Sequence, residues 1–395
     1  MLTIRGLGWR IWLFMSLVLV CFCVSPSAQA ETAGVSDAPA MDAALHDLCD
    51  RKVVLLGEAG THGDGHTIAF KVQLVQRLVD ECHFKAVLFE SNFYEFGHVE
   101  QLRQAGAPIT PDQVSAAIGG LWNRDTDMQP LITFLADRAN RRKLALGGVS
   151  DDIGQFGQTY ANDTLPVMLT AHLEAADAAI CRDAFKQRIY WDYTDAAPYD
   201  DGKKQVLQGC LGKIRVALPA ADAFDLAIVA SMKRCIDRDL VATPSDEYEK
   251  SMFLNFQDIA AHLPRGAKII VWAATVHAAK LDLAKDGSET QTLGGYISQA
   301  YGSKAFALGF GAQGGVYGLA GQKATRDVPS APDGSLEAVA LSAAATSAYV
   351  DAKRLKALGK FPAALFFHTY VDFDWNRAVD GVVVFKTEVP EPSVN

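Results

Sequence analysis

The 395-residue sequence has no Gly-x-Ser-x-Gly segment, so it lacks the strained nucleophile turn of a serine hydrolase on an α/β sheet. Basic residues are the minority. Lys and Arg number 37 against 46 Asp and Glu, for a net charge of −9. That balance disfavours nucleic acid or anionic lipid as a partner and leaves neutral or cationic small molecules. Charged residues make up only 21% of the chain and hydrophobic ones 49%, which excludes a disordered polymer and supports a substantial core. No apolar run after Ala30 is long enough to cross a bilayer. There is no internal repeat and no low-complexity tract. The seven cysteines show none of the spacings of a zinc site.

The chain does begin with a targeting pattern. Arg5 and Arg10 supply a basic start, Ile11 to Val24 is an apolar run, and Ala28-Gln29-Ala30 is a small-residue cleavage site. Residues 1–30 therefore read as a signal peptide, cleaved after Ala30. The mature chain, 31–395, is expected in the periplasm or outside the cell without a membrane span. Cys21 and Cys23 leave with the signal. Cys49, Cys82, Cys181, Cys210 and Cys235 remain, in a compartment that favours disulfides.

The organising stretch is Val53 to Glu90. An apolar β-run ends at Gly57, and a polar turn follows with Glu58, His62, Asp64 and His66. From about Thr67 to Glu81, Phe70, Leu74, Val75, Leu78 and Val79 share one helical face. A second β-run, Ala86 to Phe89, ends on Glu90. Such a strand–helix–strand unit predicts parallel neighbouring strands. Glu58 and Glu90 then lie at the carboxyl edge, where open α/β sheets place ligands. Cys49 and Cys82 precede the two strands at matching offsets, which predicts a Cys49–Cys82 bridge. Two of Cys181, Cys210 and Cys235 are expected to pair, leaving one odd thiol.

These residues resemble the erythromycin esterase family, whose members carry Gly-Glu-x-[Ser/Thr]-His after a first strand, then a basic residue, then a glutamate ending the next strand. Gly57, Glu58, Thr61, His62, Lys71 and Glu90 occupy those positions. Gly60 is one residue extra, and Lys71 replaces the usual arginine. Further on, Leu144 to Val149 reads as a third strand followed by Asp151 and Asp152, near the family's aspartate. Met252 and Asn255 resemble the family's Met-x-x-Asn. Lys268 to Ala273 is a fourth strand running to His277. There Trp272 and His277 keep the outer positions of the family's Trp-x-His-Asn-x-His, while Ala274 and Thr275 replace the inner pair. Ala305–Phe310, Ala363–Phe367 and Gly381–Phe385 read as later strands. The expected fold is α/β, with a mostly parallel sheet flanked by helices. Residues 153–264 form a helical insertion or cap, with helical spacing at Leu165–Ala176, Val206–Val216 and Tyr248–His262.

A hydrolase needs a base near neutral pH, a carboxylate to orient it or the water, and a donor for the developing oxyanion. His62, Glu90 and His277 can fill those roles, with Glu58 and Lys71 as a supporting charge pair. The resemblance implies water activated by histidine attacking an ester or lactone, with no metal, cofactor or covalent intermediate. Other readings stay open at this point. Phe93, Tyr94 and Phe96 could line a pocket or the core. His66, four residues after His62, invites a metal, although Gly63 and Gly65 argue against a shared helical face. The protein as a whole could instead be a non-macrolide or non-catalytic relative in envelope or polysaccharide metabolism, or a haem- or metal-binding protein.

Overall fold

Four of the apolar runs become strands β1 (Val53–Leu56), β2 (Ala86–Asn92), β3 (Ala145–Ser150) and β4 (Ile269–Trp272) in the computed structural model. Every residue of these four is buried, as expected of parallel strands covered by helices on both faces. With β5 (Ala305–Ala312), β6 (Ser347–Asp351) and β7 (Gly381–Phe385) they form one seven-stranded sheet, in the order β6-β7-β5-β1-β4-β2-β3. All neighbours are parallel except β6, which runs antiparallel at the edge beside β7. The structure describes residues 36–154, 159–219, 223–241, 245–283 and 289–392. The signal peptide and its Ala28-Gln29-Ala30 site lie outside them. No described helix is long and apolar enough to cross a membrane.

One expectation is corrected. β1 and β2 are not adjacent, because β4 lies between them and Ile269 pairs with both Val53 and Ala86. A crossover helix fixes the direction and hand of the next strand but not its adjacency. Here the later β4 fills the gap. The Cys49–Cys82 bridge forms all the same, with Cα atoms 5.0 Å apart. Lys268, just before β4, reaches the same place and donates to the carbonyls of Cys49 (2.5 Å) and Cys82 (3.0 Å).

Helix α1 (Ala38–Leu48) precedes β1, and α2 (Gly65–Asp80) joins β1 to β2. The expected apolar stripe of α2 is buried against the sheet. Helices α3 (Phe93–Ala105), α4 (Pro111–Ile118) and α5 (Gln129–Asn140) lie between β2 and β3. Asn92 caps α3 by accepting from the amides of Tyr94 and Glu95.

Between β3 and β4 run α6 (Leu165–Thr170), α7 (Ala175–Tyr190), α8 (Asp201–Ala217), α9 (Ala223–Arg238) and α10 (Ser245–Ala261). The first of these is shorter than its spacing suggested, because Glu174 turns extended and starts α7. Phe185, Leu211, Ile214, Met232 and Ile236 form a separate apolar cluster in this region. Cys181 and Cys210 are bridged there, and Cys235 is the buried free thiol. The strand expected at Ala363–Phe367 forms over Phe361–Phe366 but does not join the seven-stranded sheet. It pairs with Thr369–Phe373 in a separate hairpin.

Candidate active site

The carboxyl ends of β1, β4 and β2 lie side by side, and each delivers ionisable side chains. Glu58 follows β1 and is fully buried. Its Oε1 accepts from Trp122 Nε1 (3.0 Å) and lies 2.5 Å from His62 Nδ1. Its Oε2 accepts from Lys71 Nζ at 3.0 Å. Lys71 is equally buried and stands 4.0 Å from the centre of the Trp272 ring. The short spacing explains this grouping. The turn brings His62 back onto Glu58, and the second turn of α2 carries Lys71 beneath it. With Nδ1 on Glu58, the Nε2 of His62 is the ring nitrogen left for water or substrate. The His62 side chain keeps 15% of its surface exposed.

Glu90, within β2, belongs to a second group. Its Oε2 accepts from the amide of Ala274 (2.7 Å), and its Oε1 lies 3.2 Å from His277 Nε2. His277 is carried by a single helical turn, α11 (Thr275–Ala278), that follows β4. Its Nδ1 meets Glu249 of α10. The other oxygen of Glu249 accepts from the amide of Leu293, at the start of α12 (Leu293–Tyr301). The two groups are joined through backbone, since Thr275 N–H donates to Glu58 O at 2.7 Å. They are also joined electrostatically, because Glu90 and His62 stabilise each other's charged forms.

The protonation directions follow from these contacts. Burial alone would depress His62, but the Glu58 hydrogen bond and charge, with Glu90 behind them, raise it above 6.5. Burial opposes the His277 cation too, yet the carboxylates of Glu90 and Glu249 raise it well above 6.5. Burial would raise Glu90, but the His277 cation and hydrogen bond hold it at about 2. Burial pulls Lys71 down, an effect that the Glu58 charge only partly offsets. Glu58 is lowered despite its burial, by Lys71 and then His62. The arrangement is therefore a histidine held between two carboxylates that favour its charged form, beside a second histidine whose Nε2 makes no hydrogen bond among the described residues.

All five expected residues, Glu58, His62, Lys71, Glu90 and His277, are brought to this edge. Of the two roles expected for Glu90, orienting His62 or orienting the water, the contact to His62 is made by Glu58 instead, while Glu90 contacts His277. Two participants were missed. Glu249 lies on the buried stripe of α10 with Met252 and Phe256, and an acid at that helical spacing was the available signal. Trp122 gave none beyond its type. Asp151 is held by both terminal nitrogens of Arg238 and by Ser251. Asp152, pushed up to about 6 by burial and the neighbouring Asp151 charge, faces Ser150 and Tyr248. The Tyr248 ring stands edge-on to His277 at 5.9 Å.

The remaining alternatives are placed as well. Phe93, Tyr94 and Phe96 are buried. Phe93 borders a cavity of about 360 Å³ between α3, β3, α9 and α10, whose lining includes none of the five site residues. His66 does not pair with His62. Its ring bonds Asp37 (2.8 Å) and Thr387 O (3.0 Å) and stacks on Phe385. Among the described residues, one trio has metal-ligand proximity, Asp151, Asp152 and Cys235, and there Arg238 already neutralises Asp151.

The erythromycin esterase family model matches residues 79–387, a span that includes Glu90, Glu249 and His277 and begins after His62. No curated protein matches the chain. Solved structures of the same fold include a Bacillus cereus protein at 15% identity, covering 89% of this chain and 92% of that one with a TM-score of 0.66. A protein described as a succinoglycan biosynthesis protein is also 15% identical, covering 89% and 91% with a TM-score of 0.67. A histidine-to-asparagine mutant of the erythromycin esterase EreC, in its open conformation, is 12% identical and covers 90% and 95% with a TM-score of 0.60.

Proposed function

The chain belongs to the erythromycin esterase family, and on that footing we propose that it hydrolyses an ester or lactone of a small molecule with His62 as general base. The observation that carries this reading is the pair of carboxylate-aligned histidines at the ends of β1 and β4. Neutral His62 takes a proton from water through Nε2 while Glu58 stabilises the imidazolium that forms. The hydroxide adds to the carbonyl carbon. His277, whose cation Glu90 and Glu249 favour, faces the developing oxyanion with its charge, and the proton taken up by His62 passes to the departing alkoxide, which restores neutral His62. The products are the carboxylic acid and the alcohol, and no covalent enzyme intermediate is formed. The helical region 153–264 acts as the cap, and its α10 supplies Glu249. Export is part of the proposal, supported by two disulfides. An intact Met1–Ala30 segment on the protein recovered from the cell envelope would count against it.

The test is a panel of macrolides and simple 4-nitrophenyl esters offered to the mature protein and to His62→Ala. Turnover should fall by ~10²–10⁴-fold in the variant, the usual worth of a positioned base, with substrate binding much less affected. A variant with full activity would sink the assignment. A second reading, a non-macrolide relative acting on envelope polysaccharide, draws on Ala274 and Thr275 in place of the family's inner His-Asn and on the fold shared with the succinoglycan biosynthesis protein. Hydrolysis of acylated polysaccharide with no macrolide turnover would favour it.

A further inference from the structure

The hairpin Phe361–Phe366/Thr369–Phe373 ends in a two-residue loop, Phe367 and His368. Both residues are left-handed, with φ of 49° and 52°. Asn and Gly are the usual occupants of such a loop, because bulky side chains are strained there. Strain of this kind persists only where surrounding contacts over-determine it, and it clusters at functional sites. The contacts here run to the turn that carries His62. Phe367 N–H donates to Ala59 O at 2.5 Å. The Phe367 ring lies over Gly60, where an added Cβ would come within 2.8 Å of it. His368 is buried, and its Nε2 lies 2.7 Å from Asp64 Oδ1. Asp64 Oδ2 in turn accepts from Thr61 Oγ1 at 3.2 Å.

Asp64 precedes α2, where an aspartate ordinarily caps the helix. Its side chain makes no cap bond. The amides of His66 and Thr67 are met instead by Glu388, at 2.7 and 3.3 Å. Asp64 is thereby left for His368. His62 is itself left-handed, with φ of 56°, so the turn needs outside support to keep its ring on Glu58. Gly60, the residue extra to the family pattern, is the one the Phe367 ring covers.

We propose that the Phe367–His368 tip is a positioning element for His62, clamping the Glu58–Asp64 turn through the buried His368–Asp64 pair and the seat of Phe367 on Gly60. The proposal rests on the reading of His62 as the base. A 1 Å misplacement of a catalytic group costs on the order of a hundredfold, so loosening this clamp should be visible in kcat.

The test compares His368→Ala with His368→Gln, whose amide can still donate to Asp64. In His368→Ala, kcat for 4-nitrophenyl butyrate should fall by about tenfold to a hundredfold with KM little changed. The His62 ring resonance, assigned by its loss in His62→Ala, should titrate closer to the ordinary histidine range. His368→Gln should recover most of both. If His368→Ala does not fold, Phe367→Ala loosens the same clamp by removing the ring seated on Gly60 and should give the same pair of changes. Wild-type kcat and His62 titration in the folded variant would overturn the proposal, as would equal behaviour of the Ala and Gln variants. If the wild type hydrolyses no ester, the reading of His62 as base fails, while the His62 titration still decides whether the clamp exists.

Discussion

At the scale of single residues, the site is governed by which carboxylate meets which histidine. A base must be neutral to accept a proton, and Glu58 favours the protonated form of His62. The acid limb of kcat/KM should therefore have its midpoint above 6.5, with activity rising as His62 deprotonates. Glu58→Gln removes the main raising influence, so that limb should move down in pH. An unmoved limb would mean that His62 is not the titrating base. The same substitution leaves Lys71 buried without its counter-charge, and breaking a buried pair in this way typically costs ~3–5 kcal/mol. Denaturant unfolding of Glu58→Gln should show a loss of that order. Glu58, His62 and Lys71 were legible in the sequence because one turn and the start of one helix bring them together. Glu249 was not, since its approach to His277 depends on how α10 docks after a long excursion.

At the scale of elements, local patterns identified strands and helices well and adjacency poorly. The apolar runs at β1, β2, β3 and β4 depend on burial, which composition reports directly. Strand order depends on which later segment fills a gap, and nothing within Val53–Glu90 encodes the arrival of β4. The Cys49–Cys82 expectation held although its premise of adjacent strands did not, because the segments leading into β1 and β2 converge at the amino edge where Lys268 binds both cysteine carbonyls. This bridge closes a loop with a sequence separation of 33, for which loop-entropy arguments give ~3–4 kcal/mol. Replacing both cysteines by serine should lower unfolding stability by about that amount and leave kcat unchanged, because the site lies at the opposite ends of the same strands. A matching loss of kcat in the folded double variant would show that the two edges are coupled.

At the scale of the whole molecule, the fold buries a set of acids with one carboxyl oxygen unpaired, and this sets how its stability depends on pH. Asp125 Oδ2, Glu337 Oε2 and Glu391 Oε2 are buried without a hydrogen-bond partner among the described residues. Burial raises all three groups to about 7, with the charges of Asp127 and Glu58 adding to Asp125 and those of Asp125 and Glu58 adding to Glu391. A carboxyl group raised in the folded state carries no penalty below its unfolded pKa, near 4. As pH climbs from there through 7, the unfolded chain releases the proton freely and the folded chain does not, so stability falls. His62 and His277 act in the same direction, because their raised values give stability that is lost as pH rises through the folded pKa. Glu90, lowered to about 2, works the other way and withdraws its contribution only as pH falls below its ordinary range. Thermal unfolding midpoints should therefore be highest on the mildly acidic side, near pH 5, and decline toward pH 8. Asp125→Asn, Glu337→Gln and Glu391→Gln should each make that decline shallower, since an amide has no proton to lose. A midpoint that stays level or rises between pH 5 and 8, or variants that decline as steeply as the wild type, would show that these carboxyl groups are charged in the fold and paired by something other than the chain around them.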